Sequence, residues 1–289
     1  MGSAVALGQV SRAEEQAARK VIVKSIKHFR IRNERDVLRR FQDQAPFIRP
    51  LLDEVTNKDS SLPPTIILKY LDDDILAASD ARRFTRREVK YVATGVLEAL
   101  AILHDEGFVH TDIKPSNFLA NYNGENQNRF KDIQLADFGS TMHIDSGHAR
   151  DGDLIGTPIF RSPEPHLQLP WGTETDSWSF GATLITLYGH GFHIFKPSPE
   201  YPFDHPDHPV QITLKHYRIF GPFPKWSADI AGIDQARLWT YRPFCRATER
   251  EIKREDRETV CEVMRIHPGE RSTASELLGD EWLGRGMDD

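Results

Sequence analysis

The segment HTDIKPSN at residues 110–117, followed by Asp-Phe-Gly at residues 137–139, decides both the fold and the chemistry. Phosphoryl transfer spreads negative charge over the transferred oxygens, so a protein that catalyses it needs fixed cations and a carboxylate beside the attacking hydroxyl. Asp112 is placed to accept a hydroxyl proton, and Asn117 and Asp137 are placed to hold magnesium. The two segments therefore predict a phosphoryl-transfer site.

Each motif alone has an ordinary explanation, because Asp-Phe-Gly is a common turn and His-X-Asp a common surface loop. The order of the motifs is more informative. Three further segments follow at suitable distances: GTPIFRSPE at 156–164, TDSWSFGATL at 175–184 and HPGERSTASELL at 267–278. Five segments in this order resemble a eukaryotic-type protein kinase.

The resemblance implies an α+β, two-lobed fold that spans residues 1–289 as one kinase domain. A small β-rich N-lobe would occupy about 1–70, and the hinge and a larger, mainly helical C-lobe would occupy 71–283, with an insert at about 189–250. The expected cofactors are ATP and Mg²⁺. Lys114 would neutralise the γ-phosphate, as in serine/threonine kinases, so serine or threonine is the expected acceptor.

Two structural pairings also follow from the resemblance. Glu164, in Ser-Pro-Glu, would form a buried ion pair with Arg271, although two solvated charges are the alternative. Asp176 opens an apolar run, and an acidic residue suits the start of a helix. Its carboxylate would accept hydrogen bonds from the backbone of the catalytic loop.

In the N-lobe, Lys20–Ile26 is typical of a strand, and residues 33–41 are typical of a helix. The resemblance makes Lys24 the nucleotide-binding lysine and Glu34 its partner on the helix. This pair would hold the α- and β-phosphates. Lys27 is the weaker candidate lysine, and a solvated helix charge is the alternative for Glu34.

The apolar strand at residues 64–71 is expected to lead into the hinge between the lobes. Leu68 would border the adenine pocket, and the backbone of residues 69–71, ending at Leu71, would meet the base. The acidic run at residues 72–74 is either a solvated turn or a contact for the ribose or a basic substrate.

The glycine-rich loop that should cover the phosphates departs from the kinase pattern. Only its tail, with Gly8 and Val10, is present, and Ser3 and Val5 stand where the first two glycines belong. Gly8 and Val10 remain the expected ATP-binding residues of this loop. The first strand is therefore expected to be missing or shortened, either because the sequence starts late or because the lobe is incomplete.

Thr111 is a second departure, because most kinases have an arginine there that pairs with an activation-segment phosphate. The absence of this arginine predicts that phosphorylation of the activation segment does not regulate the activity. Together with Arg161 and the insert after Gly189, Thr111 resembles the SR-protein kinases of the CMGC group, above all the fungal set. That resemblance implies Arg-Ser-rich protein substrates.

Composition agrees with a globular enzyme: of 289 residues, 39% are hydrophobic and 28% charged. The net charge of −6 argues against direct nucleic-acid binding. No apolar stretch approaches the roughly 20 residues of a membrane span. Two cysteines are too few for a disulfide framework. We expect an intracellular monomer, cytoplasmic or nuclear, with no membrane partner.

Two rival functions remain open at this stage. A pseudokinase would use the same fold as a binding scaffold; the broken glycine loop favours it and the intact acidic set opposes it. A small-molecule phosphotransferase would require residues 156–164 to serve something other than a peptide.

Overall fold

The computed structural model describes residues 5–10, 19–55, 62–124, 129–221 and 243–284, with backbone only for 5–10 and Arg19. Within these ranges it shows a small β-rich N-lobe and a larger helical C-lobe, which confirms the predicted fold class. No helix among the described residues is long and apolar enough to cross a bilayer.

A four-stranded antiparallel sheet and one helix form the N-lobe. Its spatial order is β1-β2-β4-β3. The centre of β2 consists of three β-branched residues in succession, Val21, Ile22 and Val23, which favour a strand. The elements are β1 (Val5–Val10), β2 (Arg19–Ser25), α1 (Phe29–Phe41), β3 (Leu51–Val55) and β4 (Thr65–Lys69).

The predicted strand and helix of the N-lobe are confirmed, and α1 begins four residues before the predicted Asn33. It starts earlier because the side chain of His28 accepts a hydrogen bond from the Arg30 N–H and caps the helix. Gly8 and Val10 lie in β1, opposite Val21 and Arg19 of β2. The expectation about a first strand, and Ser3 with it, falls on residues outside the described ranges.

The C-lobe is mainly helical, and its described strands form one three-stranded sheet and one two-stranded sheet. Its elements up to the catalytic region are β5 (Asp73–Asp74), α2 (Ile75–Ala81), α3 (Arg86–Asp105), β6 (Phe108–Val109), β7 (Phe118–Tyr122), β8 (Phe130–Leu135) and β9 (Met142–His143). They are followed by α4 (Gly147–Arg150), α5 (Pro163–His166), α6 (Glu174–Tyr188), α7 (His208–Phe220), α8 (Arg254–Val263), α9 (Ala274–Leu278) and α10 (Glu281–Gly284).

Helix α3 contributes many residues to the C-lobe core and ends shortly before the catalytic loop. Thr85 and Glu88 form a reciprocal capping box at its start. Its apolar residues recur at helical spacing, and they are buried as predicted: Val89, Val92, Val96, Leu100 and Leu103. They pack in the same core as Trp178 and Phe180 of α6.

The predicted insert is described at residues 189–221 and 243–250, and the rest of it, including most of FGPFP, lies outside the described residues. Phe192 and Phe203 of this part are exposed, but other aromatic residues of the insert pack back onto the C-lobe. The rings of Trp178 and Phe195 are stacked at 5.7 Å, and His216 lies edge-on to Trp178 at 4.9 Å. This part of the insert is therefore an extension of the core.

Candidate active site

The catalytic loop, residues 110–117, lies between β6 and β7 and is anchored from below by α6. The buried carboxylate of Asp176 accepts hydrogen bonds from the N–H groups of His110 at 2.7 Å and Thr111 at 3.0 Å. His104 Nε2 lies 3.1 Å from the same carboxylate. The predicted contact of Asp176 is confirmed, although the N-cap position of α6 belongs to Thr173.

Thr111 adopts a left-handed conformation with φ 71°. Its hydroxyl donates to the Ser140 carbonyl at 2.8 Å. Its own carbonyl oxygen would lie 2.3 Å from a Cβ added at Gly156, where φ is 58°. Gly156 is thus the residue that allows the activation segment to approach the catalytic loop so closely.

Asp112 lies at the centre of a hydrogen-bonded cluster. One carboxylate oxygen accepts from Lys114 Nζ at 2.8 Å. The other accepts from the Thr157 N–H at 3.0 Å and from its hydroxyl at 2.8 Å. Burial alone would raise the pKa of the Asp112 carboxyl, but Lys114 and the bonds from Thr157 hold that pKa below its ordinary value. Asp112 is therefore a carboxylate at neutral pH.

Thr157 was not singled out in the sequence. Its hydroxyl also accepts a hydrogen bond from Lys114 Nζ at 2.8 Å, so one side chain joins the activation segment to both charged residues of the catalytic loop. The only sequence signal is its place in GTPIFRSPE, because the contact with Asp112 spans 45 residues.

Asn117 and Asp137 flank the same loop. The Asn117 amide nitrogen donates to the Asp112 carbonyl at 2.7 Å. This bond leaves its amide oxygen without a hydrogen bond among the described residues. Asp137 has φ 64°, a left-handed conformation that aspartate tolerates better than most residues, and its side chain is half exposed. The Asn117 amide oxygen and the Asp137 carboxylate are therefore available to a cation.

The nucleotide lysine and its helix partner are paired. Lys24 Nζ lies 3.0 Å from both carboxylate oxygens of Glu34, and 3.4 Å from Asp137. Glu34 is 3% exposed. Its burial raises the pKa of its carboxyl, and the charge of Lys24 opposes that shift. The structure thus brings together β2, α1 and the Asp-Phe-Gly segment. Lys27, the weaker candidate, is exposed and forms no such pair with any described residue.

Helix α1 is held in this position by a contact that sequence reasoning missed. The amide nitrogen of Asn33 donates to the carbonyls of Thr141 at 2.8 Å and Gly139 at 3.2 Å. Phe138 is fully buried, edge-on to His110 at 5.0 Å. Asn33 therefore fastens α1 to the segment that carries Asp137.

The two apolar residues predicted to border the base at the hinge are both buried, and their contact with a base stays a prediction. Leu68 is fully buried and Leu71 is 7% exposed. For Gly8 and Val10 the structure describes only the backbone of β1.

The acidic run at residues 72–74 makes structural contacts. Asp74 caps α2 by accepting from the Ala77 N–H at 2.9 Å, and Asp73 accepts from the Tyr122 hydroxyl at 2.7 Å. Asp72 accepts from the Tyr122 N–H at 3.1 Å. All three carboxylates thus have intramolecular partners, while Asp72 is exposed. A contact of this run with the ribose or a basic substrate stays a prediction.

The buried ion pair predicted between Glu164 and Arg271 is confirmed. The guanidinium makes two hydrogen bonds to the carboxylate, one of them 3.1 Å long, and further bonds to the carbonyls of Glu174, Ile266 and Arg265. The Arg271 side chain is fully buried. This pair joins the end of the activation segment to the closing segment of the lobe.

Comparison with known proteins now identifies the family. The protein kinase domain model matches residues 2–283, so the chain belongs to the protein kinase domain family. NUAK family SNF1-like kinase 1 of Homo sapiens is 28% identical over 96% of this chain and 41% of its own length. NUAK family SNF1-like kinase 2 of Rattus norvegicus is 30% identical over 85% of this chain and 37% of its own length.

Serine/threonine-protein kinase PAK 4 of Mus musculus is 34% identical over 42% of this chain and 20% of its own length. The chain spans about two fifths of the length of the NUAK relatives it matches. These names support the serine/threonine class. They do not support the narrower resemblance to SR-protein kinases of the CMGC group, which still rests on Thr111, Arg161 and the insert alone.

Proposed function

We propose that this protein is an ATP- and Mg²⁺-dependent protein serine/threonine kinase. The observation that carries the proposal is the cluster around Asp112: a partly buried carboxylate held by Lys114 and Thr157, with the Lys24–Glu34 pair formed on the N-lobe side of the cleft. An acceptor hydroxyl beside Asp112 would be oriented by the carboxylate and would pass its proton to it. A scaffold protein has no need of this arrangement.

The donor set around Asp112 fits a magnesium–nucleotide complex. Asn117 and Asp137 offer one amide oxygen and one carboxylate, and no group of three or more metal-ligating His, Cys, Asp or Glu side chains occurs in the described part of the chain. Mg²⁺ is usually held by one or two carboxylates together with substrate phosphates, so this sparse set suits it. When bound, Mg-ATP would supply the phosphoryl group and the charge neutralisation for its transfer.

The other residues have complementary roles in this proposal. Lys24, positioned by Glu34, binds the α- and β-phosphates, and Lys114 neutralises charge on the γ-phosphate. Leu68 and Leu71 enclose the base, and β1 with Gly8 and Val10 covers the phosphates.

A narrower proposal concerns the substrate. Thr111 and Arg161 motivate Arg-Ser-rich proteins as acceptors. Arg161 donates to the carbonyls of Ile155 and Gly156, so its side chain supports the segment that we propose to face the substrate. The intracellular location and monomeric state remain predictions.

Phosphate transfer from radiolabelled ATP tests the main proposal. The acceptors are an Arg-Ser repeat peptide and versions with threonine or tyrosine in place of serine, each with Mg²⁺ or with EDTA. We expect Mg²⁺-dependent labelling of serine and threonine and none of tyrosine. Replacing the arginines of the peptide by glutamine tests the narrower proposal. Nucleotide binding without transfer to any acceptor would favour the pseudokinase instead.

Lys24→Met is expected to lower kcat/KM for ATP by roughly 100-fold or more, because it removes a cation from the phosphates and leaves Glu34 buried without its partner. Steady-state kinetics with varied ATP measures the loss. Lys27→Met is the matched control, since Lys27 lies three residues away and is exposed. Equal activity of the two variants would contradict the role of Lys24.

Thr157→Val is expected to lower kcat by roughly 10- to 100-fold, because valine keeps the volume and loses two charge-assisted hydrogen bonds. Thr157→Ser keeps the hydroxyl and is expected to stay within about threefold of the unaltered protein. The comparison of kcat separates the hydroxyl from the methyl group. A serine variant as slow as the valine variant would show that the hydrogen bonds are not what matters.

A further inference from the structure

Arg49 is a buried cation beside the hinge. It follows the Pro-Phe-Ile run that precedes β3, and it is 5% exposed. Its Nε donates to the carbonyl of Lys69 at 2.9 Å. That carbonyl belongs to residues 69–71, the hinge backbone against which the proposed nucleotide base lies.

The backbone on both sides of Arg49 is fixed. Its N–H donates to the Leu135 carbonyl at 3.0 Å, and Ile48 forms a parallel bridge with Leu135. On the other side, the Lys69 N–H donates to the Pro50 carbonyl at 3.1 Å. The backbone at Arg49 therefore connects the hinge strand β4 with β8, the strand that leads to Asp137, and hydrogen bonds to both strands hold it there.

The charge of Arg49 has no direct counter-ion among the described residues. None of the ion pairs within 4.0 Å includes it, and its two Nη groups make no hydrogen bond there. Glu34 and Asp137 act on it at longer range, while burial lowers the pKa of its guanidinium to about 10, so it is cationic at neutral pH. The unused Nη donors are not among the fully buried side-chain atoms that lack a partner, so they are open to solvent. A bound ligand can therefore reach them and accept their hydrogen bonds.

Adenine and guanine differ in the group at position 6 of the purine ring. Adenine carries an amino donor at position 6 and guanine a carbonyl acceptor. An adenine amino group at the hinge would have to share the Lys69 carbonyl with Arg49 Nε and would lie against a positive charge. A guanine O6 would instead accept from the free Nη groups, and arginine is the side chain that most often reads guanine through O6 and N7.

We propose that Arg49 sets the base preference of this cleft and that it admits guanine nucleotides, so that Mg-GTP is bound at least as well as Mg-ATP. This inference rests on the proposed kinase function, because it assumes that the cleft binds a purine nucleoside triphosphate. The inference adds Arg49, which would contact the base, to the residues proposed to bind the phosphates.

Titration calorimetry of the full chain with Mg-ATP and Mg-GTP tests the inference through the ratio of the two Kd values. For the unaltered protein we expect a GTP Kd equal to or below the ATP Kd. Arg49→Met keeps an unbranched stem of similar shape and loses every donor, and it is expected to shift the ratio towards ATP by roughly tenfold or more. An unchanged ratio in a folded Arg49→Met protein would overturn the inference.

A second measurement needs no variant and covers the case in which Arg49→Met does not fold. Inosine triphosphate shares the 6-oxo group of GTP, and 2,6-diaminopurine riboside triphosphate shares the 6-amino group of ATP. On the unaltered protein, inosine triphosphate is expected to bind like GTP and the diaminopurine nucleotide like ATP. Affinities that follow the 2-amino group instead would refute a role for position 6.

The outcomes separate this inference from the proposed function. If both nucleotides bind with the expected ratio but no phosphate is transferred, the base preference stands and the kinase proposal fails. If ATP binds at least tenfold tighter than GTP and is transferred, the kinase proposal stands and this inference fails. If neither nucleotide binds, both fail.

Discussion

Replacing Asp112 by alanine is expected to lower kcat by about 10²- to 10⁴-fold, the range that a positioned base contributes. The variant removes the acceptor of the hydroxyl proton and also the group that holds Lys114 and Thr157 in place. Asp204→Ala is the matched control, because Asp204 is exposed and lies on the insert. Steady-state transfer from Mg-ATP to the Arg-Ser peptide measures both variants. A rate for Asp112→Ala within a few-fold of the unaltered protein would remove Asp112 from the mechanism.

The depressed pKa of Asp112 gives this prediction a pH dependence. Because the folded-state pKa lies below the ordinary value, the carboxylate is ionised throughout the neutral range, and its protonation begins only in acid. Titration of Asp112 should therefore cause no loss of kcat between pH 8 and pH 6.

Arg271→Met is expected to reduce the free energy of unfolding by about 3–5 kcal/mol, since Glu164 is left buried without a partner. The loss should appear as a lower denaturant midpoint with an unchanged slope. The double variant Glu164→Gln/Arg271→Met should recover part of the loss, because no unpaired charge is left in the core.

An exposed ion pair provides the comparison. Arg254 and Glu258 lie one turn apart on α8 with Nε 3.2 Å from the carboxylate, and their side chains are 68% and 56% exposed. Arg254→Met should change the free energy of unfolding by no more than about 0.5 kcal/mol. If Arg271→Met costs as little as Arg254→Met, the Glu164–Arg271 pair does not stabilise the lobe as described.

The sequence predicted those parts of the fold that local pattern or strict motif order determines. The helical spacing from Val89 to Leu103 marked the core helix, and the order of the motifs placed Glu164 opposite Arg271 across 107 residues. The acidic run at 72–74 was harder, because its partner Tyr122 comes from a neighbouring strand about 50 residues away. Nothing in the run itself shows that contact.

The residues that were missed have roles created by tertiary packing. Asn33 reads as the first polar residue of a helix, and its contact with residues 139–141 exists only once α1 has docked. In the sequence, Arg49 is an isolated charged residue after an apolar turn, and it becomes buried only when β4 and β8 pack against it. The SR-kinase resemblance rests on only a few positions of the sequence. The similarity to NUAK kinases, in contrast, extends over most of the chain.

The anchoring of the catalytic loop by Asp176 has a consequence for cooperativity. Loops usually open locally at little free-energy cost, while core helices open only when the whole domain unfolds. Here the N–H groups of His110 and Thr111 are bonded to a carboxylate that is itself inside the core helix α6. The loop and the helix therefore form one cooperative unit, and Asp112 stays in register for as long as the lobe remains folded.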